Sequence, residues 1–101
     1  MLTVKESRMK KLTDDEIRQS LPQLKGWKLE NGELVQNCTF KDFVAAMAFV
    51  NDVAQLAETL GHHPDIDIRY NRVRLAVVTH DAGGITSNDT ELARKINNLA
   101  H

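Results

Sequence analysis

The apolar positions of this chain switch repeatedly between a helical and a strand period. Leu12 and Ile17 flank Thr13 and Glu16, a capping-box pair with the spacing of a hydrophobic staple, so a helix is predicted from Thr13. Pro22 and Gly26 close that short segment. Two strands are predicted next, at about Trp27–Glu30 and Glu33–Thr39, joined by Asn31-Gly32. Asn-Gly suits a type I′ turn, which needs positive φ at both central positions, and that register sets Leu29 opposite Leu34. Thr39 is predicted to cap a long helix, with Asp42 at the third helical position and Cys38 and Phe43 at staple spacing. The helix carries two apolar stripes, one of Phe43, Met47, Val50, Ala54 and Ala57, the other of Phe49, Val53, Leu56 and Leu60. Together they span roughly half the circumference, more than packing on one sheet uses, so part of the arc is expected to meet a partner subunit. Gly61 ends the helix as a C-terminal cap.

A second alternating stretch follows. Ile66, Ile68 and Tyr70 alternate with Asp67 and Arg69, and Val73, Leu75 and Val77 alternate with Arg74 and Ala76. A two-residue turn at Asn71-Arg72 sets Tyr70 opposite Val73 and Ile68 opposite Leu75, with one face wholly apolar. Ala82-Gly83-Gly84 breaks the pattern, and Thr86 starts a last helix whose buried side is Ile85, Leu92, Ile96 and Leu99. The predicted fold is α+β: a four-stranded antiparallel sheet of two hairpins, with three helices packed on one face. Residues 1–11 are charged without periodicity and read as a flexible lead-in; residues 12–101 read as a single domain.

Composition narrows the function classes. The chain has 101 residues, 42% hydrophobic and 27% charged, with a formal net charge of −1. No basic excess suggests direct nucleic-acid binding. Cys38 is the single cysteine and reads as a small buried hydrophobe. The polar first residues carry no signal-like run, and the apolar run Val44–Val50 is too short to span a bilayer, so a cytoplasmic protein away from membranes is expected.

Histidine is where chemistry concentrates. His62 and His63 are adjacent and precede Pro64, His80 ends the second hairpin, and His101 ends the chain. The predicted register sets position 63 opposite position 80, which brings three imidazoles to one end of that hairpin. Imidazole, with an ordinary pKa of about 6.5, both gives and takes protons near neutral pH. Acid/base catalysis needs one group that delivers a proton to a leaving atom and another that removes a proton from the substrate. An imidazole pair can do both, each proton transfer contributing about 10²–10⁴-fold. The competing readings are a polar loop or a zinc site of three histidines, with Asp81 or Glu58 adding an oxygen. Glu58 also reads as a solvated helix carboxylate. Asp89, third after Thr86, reads as the carboxylate of a capping box.

The string Glu58-Thr-Leu-Gly-His62-His63-Pro64, with Tyr70, Thr79-His80 and Asp89 before Leu92-Ala93, resembles the signature of the pterin-4a-carbinolamine dehydratase family. Thr39-Phe40-Lys41-Asp42-Phe43 and Gly26-Trp27 resemble that family as well, and the likeness covers about residues 12–99. It implies the α+β fold above and dehydration of 4a-hydroxytetrahydropterins to quinonoid dihydropterins. That reaction recycles the pterin cofactor of aromatic amino acid hydroxylases such as phenylalanine hydroxylase. It implies no metal or organic cofactor, and a homodimer or homotetramer. By the same resemblance, His62 and His80 match the acid/base histidines, His63 and Asp89 match residues that hold the pterin and orient the others, and Glu58 lines the same pocket. Ile66 and Thr90 depart from aromatic or apolar positions of the pattern. The family also implies a second class, a non-catalytic dimerisation or assembly module on the same fold.

Overall fold

A computed structural model describes residues 10–99. His101 and residues 1–9 of the expected lead-in lie outside the described residues. Helix α1 (Asp14–Ser20) runs into a 3₁₀ turn at Leu21–Gln23, followed by β1 (Trp27–Glu30), β2 (Glu33–Thr39), α2 (Phe43–Leu60), β3 (Asp65–Arg69) and β4 (Arg72–Val77). A second 3₁₀ turn, His80–Ala82, leads to α3 (Ser87–Asn97). All strand pairings are antiparallel, in the order β1-β2-β4-β3. The two hairpins therefore join through β2 and β4 into one α+β sheet, as the patterning predicts.

Alternation decides which face is covered. Leu34, Val73, Leu75 and Val77 are buried among Ile17 of α1, Phe49 and Val53 of α2, and Leu92 and Ile96 of α3. Each such side chain contributes about 1.5–3 kcal/mol on burial. Trp27 closes the β1 end of this core, where its indole N–H donates to Asn97 Oδ1 at 3.0 Å.

Local signals account for most element ends. Thr13 and Glu16 form the capping box, with the Thr13 N–H donating to Glu16 Oε1 at 2.9 Å. Asn31 and Gly32 have φ of +52° and +78°, and the turn sets Leu29 opposite Leu34. Gly61 ends α2 in the left-handed region. Just ahead of α1, the Leu12 N–H donates to the Ile85 carbonyl at 2.8 Å.

Three expectations are corrected. Thr39 does not cap α2. Its backbone stays in the sheet opposite Arg72, so the helix start moves to Asp42, whose Oδ1 accepts the Ala45 N–H at 2.9 Å. Phe43 is 47% exposed and makes no staple; Phe40 instead packs on Phe49, with ring centroids 5.0 Å apart. The second hairpin turns at Tyr70-Asn71, one residue earlier than predicted, so Ile68 faces Val73 and Ile66 faces Leu75. The turn is fixed from outside: Asn71 Nδ2 donates to the Phe40 carbonyl and the Phe40 N–H donates to the Asn71 carbonyl, both at 2.8 Å. Tyr70 is left at φ +54°, a conformation that disfavours a bulky side chain. Pairing ends at Asp65–Ala76, so His63 and His80 are not register partners.

On α2 the predicted arc divides. Phe49, Val50, Val53 and Ala57 are buried with Ala46, whereas Phe43, Val44 at 76% exposure, Ala48 and Ala54 face outward. The helix is long and apolar enough by composition to cross a membrane, but its buried stripe packs in the core against the sheet.

Candidate active site

Three element ends converge beyond the β3–β4 end of the sheet. The first is the exit of α2. Gly61 takes φ +66°, the His62 N–H donates back to the Ala57 carbonyl at 3.1 Å, and His62 and His63 leave the helix together. The second is the end of β4, where Thr79 forms an isolated bridge with Gly84 and His80 opens a tight turn. Gly83 closes that turn at φ +73°, its N–H donating to the His80 carbonyl at 3.0 Å. The third is the start of α3, capped by Thr86 and Asp89.

His62, His63 and His80 line one open cleft of about 330 Å³, together with Thr79, Asp81 and Asn88. The three imidazoles predicted to gather at this end of the hairpin do so, although the residue pairing that suggested it is two positions off. Glu58 and Asp89 do not line the cleft themselves, but each meets a histidine that does. Glu58 Oε2 meets His63 Nε2 at 2.5 Å on the exposed rim. Asp89 is fully buried, and its Oδ1 meets His62 Nε2 at 2.5 Å. Asp89 meets His62 because α3 starts against the exit of α2.

The second Asp89 oxygen performs the capping role. Oδ2 accepts the Thr86 N–H and the Thr79 hydroxyl, each at 2.8 Å. One oxygen of Asp89 thus caps α3 while the other meets His62. Thr79 spends its proton on Asp89, so at the 2.8 Å contact between the two threonine hydroxyls Thr86 donates and Thr79 accepts. This ordered chain of buried hydroxyls had no sequence signal, since Thr79 stood out only as the neighbour of His80. Asn88, also on the cleft wall, was not singled out either.

Proton placement follows from acceptor chemistry. A carboxylate only accepts, so the Nε2–H of His62 donates to Asp89 and Nδ1 is the ring nitrogen left for a ligand. The same argument makes His63 Nε2 the donor to Glu58. His80 is exposed, and no side-chain hydrogen bond occupies either of its ring nitrogens among the described residues. The cleft therefore presents one imidazole held by a buried carboxylate, one held by an exposed carboxylate, and one unengaged. Among the described residues, no three His, Cys, Asp or Glu side chains converge as metal ligands.

An α+β domain with helices on one sheet face and a histidine cleft at the sheet's end defines a class of small protein equipped for proton transfer. Comparison makes the class particular. The family model described as pterin 4 alpha carbinolamine dehydratase matches residues 10–99. The chain belongs to that family. A relative from Acidobacterium capsulatum, provisionally named a pterin-4-alpha-carbinolamine dehydratase, is 59% identical over 91 residues, 90% of this chain and 99% of the relative. A relative from Chloroflexus aurantiacus with the same provisional name is 55% identical over 91 residues, 90% of this chain and 98% of its own. Among solved structures, a Brucella melitensis protein described as a transcriptional coactivator/pterin dehydratase superposes with a TM-score of 0.85 at 36% identity. It covers 90% of this chain and 99% of its own. A pterin dehydratase-like protein described as a RuBisCO assembly factor in the alpha-carboxysome shares the fold, with a TM-score of 0.64 at 21% identity over 77% of this chain and 93% of its own.

Proposed function

We propose that this chain is a 4a-hydroxytetrahydropterin dehydratase working by histidine acid/base catalysis. The observation that carries the reading is the convergence of His62, His63 and His80 on one cleft, with buried Asp89 behind His62. In the reaction a carbon–oxygen bond breaks and the hydroxyl leaves as water after taking a proton from an imidazolium. The lone pair of the adjacent ring nitrogen forms the C=N bond, and that nitrogen's proton passes to a neutral imidazole. His62 and His80 are the proposed proton carriers. His63, Asp89 and Glu58 hold and orient the pterin and the reacting imidazoles. These steps need no metal or organic cofactor. The product is the quinonoid dihydropterin, so the activity would recycle the pterin of aromatic amino acid hydroxylases such as phenylalanine hydroxylase, in the cytoplasm.

Purified protein should accelerate water loss from a 4a-hydroxytetrahydropterin at a rate that survives a strong chelator. His62→Ala and His80→Ala should each lower kcat strongly with the fold intact. Turnover abolished by chelation and restored by zinc would replace this mechanism with a metal one, and wild-type rates in both variants would remove the two histidines from it.

The outward stripe of α2 supports a homo-oligomer, dimer or tetramer, because Phe43, Val44, Ala48 and Ala54 are apolar and exposed. A monomer mass by light scattering at micromolar concentration would overturn it. The same stripe favours the second reading, a dimerisation or assembly module, which predicts partner binding with no turnover.

A further inference from the structure

The sheet face turned away from the helices carries a second arrangement of charge. Strand alternation and register set Asn37, Arg74 and Asp67 in one row across β2, β4 and β3, and Thr39, Arg72 and Arg69 in the next. These six residues surround a cavity of about 420 Å³. Arg69 and Arg72 are direct cross-strand partners, and like charges directly opposite on a sheet destabilise it. Asp67 Oδ1 lies 3.4 Å from Arg69 Nε, and Glu30 Oε1 lies 4.0 Å from Arg74. Arg72 has no ion pair or side-chain hydrogen bond among the described residues. Three guanidiniums against the carboxylates of Asp67 and Glu30 leave an excess of one positive charge, and Arg72 is the guanidinium without a carboxylate beside it among the described residues.

Protection of a sheet edge explains part of this pattern. Charged side chains on an edge strand discourage pairing with another chain, and β3 is an edge carrying Asp65, Asp67 and Arg69. That account stops at β4. Arg72 and Arg74 sit on an interior strand, paired on both sides, where no edge needs blunting.

We propose that this face binds the phosphate group of a small phosphorylated molecule, seated between Arg69 and Arg72, with Arg74, Asn37 and Thr39 as further donors. Guanidinium forks match phosphate oxygens two at a time, and the neutral amide and hydroxyl extend the donor set without adding repulsion. The excess of positive charge suits a phosphomonoester, an anion of about −1.5 to −2 at pH 7. A bound dianion also turns the Arg69–Arg72 opposition into a clamp. From Arg72 to Thr79 is seven residues, about 23 Å along an extended chain at about 3.3 Å each, so the site is separate from the histidine cleft. The inference stands whether or not that cleft dehydrates pterins.

The test titrates the purified full chain with inorganic phosphate and with pyrophosphate, against sodium chloride of matched ionic strength. Saturable backbone-amide NMR shifts confined to residues 37–39 and 67–74 are expected, with a rise in melting temperature that chloride does not reproduce. Arg72→Gln should weaken phosphate binding at least tenfold and leave the 4a-hydroxytetrahydropterin rate unchanged. Arg74→Gln should weaken it less, which guards against a fold defect confined to one variant. A linear response equal to that of chloride, or undiminished binding in both variants, would overturn the proposal. Saturable binding of duplex DNA on the same amides with none of pyrophosphate would also overturn it, in favour of a nucleic-acid surface.

Discussion

Replacing Asp89 by asparagine separates two jobs that one carboxylate performs. The side chain keeps its size, and its single amide oxygen can still accept from the Thr86 N–H and the Thr79 hydroxyl, where Oδ2 now does so at 2.8 Å. What is lost is charge assistance, about 1 kcal/mol, or about 4–8 °C in Tm for a domain of this size. The other side of the residue inverts. The asparagine NH₂ now faces His62 Nε2, and two donors cannot share a hydrogen bond, so the imidazole must switch to the tautomer with its proton on Nδ1. The ring nitrogen available to the cleft then changes from acceptor to donor. A wrong-tautomer imidazole costs about 10⁴ in rate in a serine-protease triad, where that imidazole carries the whole proton traffic. With His80 sharing the work, kcat/KM should fall between about tenfold and about 10⁴-fold. Asp89→Ala sets the contrast, because it leaves three donors facing an empty, buried position. At about 1 kcal/mol or more for each, it should lose about 3 kcal/mol or more, and over about 12 °C in Tm. Thermal unfolding and steady-state dehydratase kinetics on the two variants decide the matter. Asp89→Asn with a lowered Tm and wild-type kcat/KM would refute the reasoning and reduce Asp89 to a helix cap.

Three further outcomes are expected. Gly83→Ala forces a side chain into the left-handed region at φ +73°, so it should cost about 1–2 kcal/mol by chemical denaturation and lower kcat by moving His80, and unchanged stability would show that the turn relaxes freely. Tyr70→Asn relieves the same strain at φ +54° in a 66% exposed residue, so Tm should rise by a few degrees, about 0.5–1 kcal/mol, and a fall in Tm would reveal a contact made by the tyrosine. Hydrogen bonds from Thr13, the backbone N–H first and then the side chain, hold the Glu16 carboxyl below its usual range. A lowered folded-state pKa stabilises above the unfolded value, near 4.3, and that stability is lost as pH falls through the folded one. The Tm gap between wild type and Glu16→Gln should therefore be present at neutral pH and close in acid, and a gap that widens in acid would contradict the assignment.

How much could be read beforehand depended on how local each determinant was. The first hairpin was legible to the residue because Asn31-Gly32 states its own turn geometry. The capping boxes of α1 and α3 were legible because donor and acceptor lie three residues apart. The cap of α2 was misplaced because pairing of Thr39 with Arg72 competes with capping, and that pairing depends on a strand 33 residues on. The second turn was misplaced for a similar reason: Phe40 fixes Asn71, and nothing in the tyrosine beside it advertises a positive φ. Within the site, the gathering of three histidines was legible. The pairing of Asp89 with His62 was not, because it follows from how α3 docks against the exit of α2.

The register error also explains why the gathering of the histidines survived it. The observed second hairpin differs from the predicted one by two positions, Ile68 facing Val73 in place of Leu75. A two-residue slip returns every paired side chain to its own face, so Ile68, Val73, Leu75 and Val77 still pack in the core, whereas a one-residue slip would have turned them to the other face. Nor does such a slip exchange the ends of a hairpin. His63 precedes β3 and His80 follows β4, so any antiparallel pairing of these two strands leaves both histidines at the end away from the turn. What a slip does change is which side chains touch, and the site does not draw its contacts from the ladder. His62 is set by the Gly61 cap of α2, His80 by the Gly83 turn, and Asp89 by the capping box of α3. Each is a short-range device that works wherever the ladder falls, which is why the gathering of these side chains could be read from sequence while the partner of each could not.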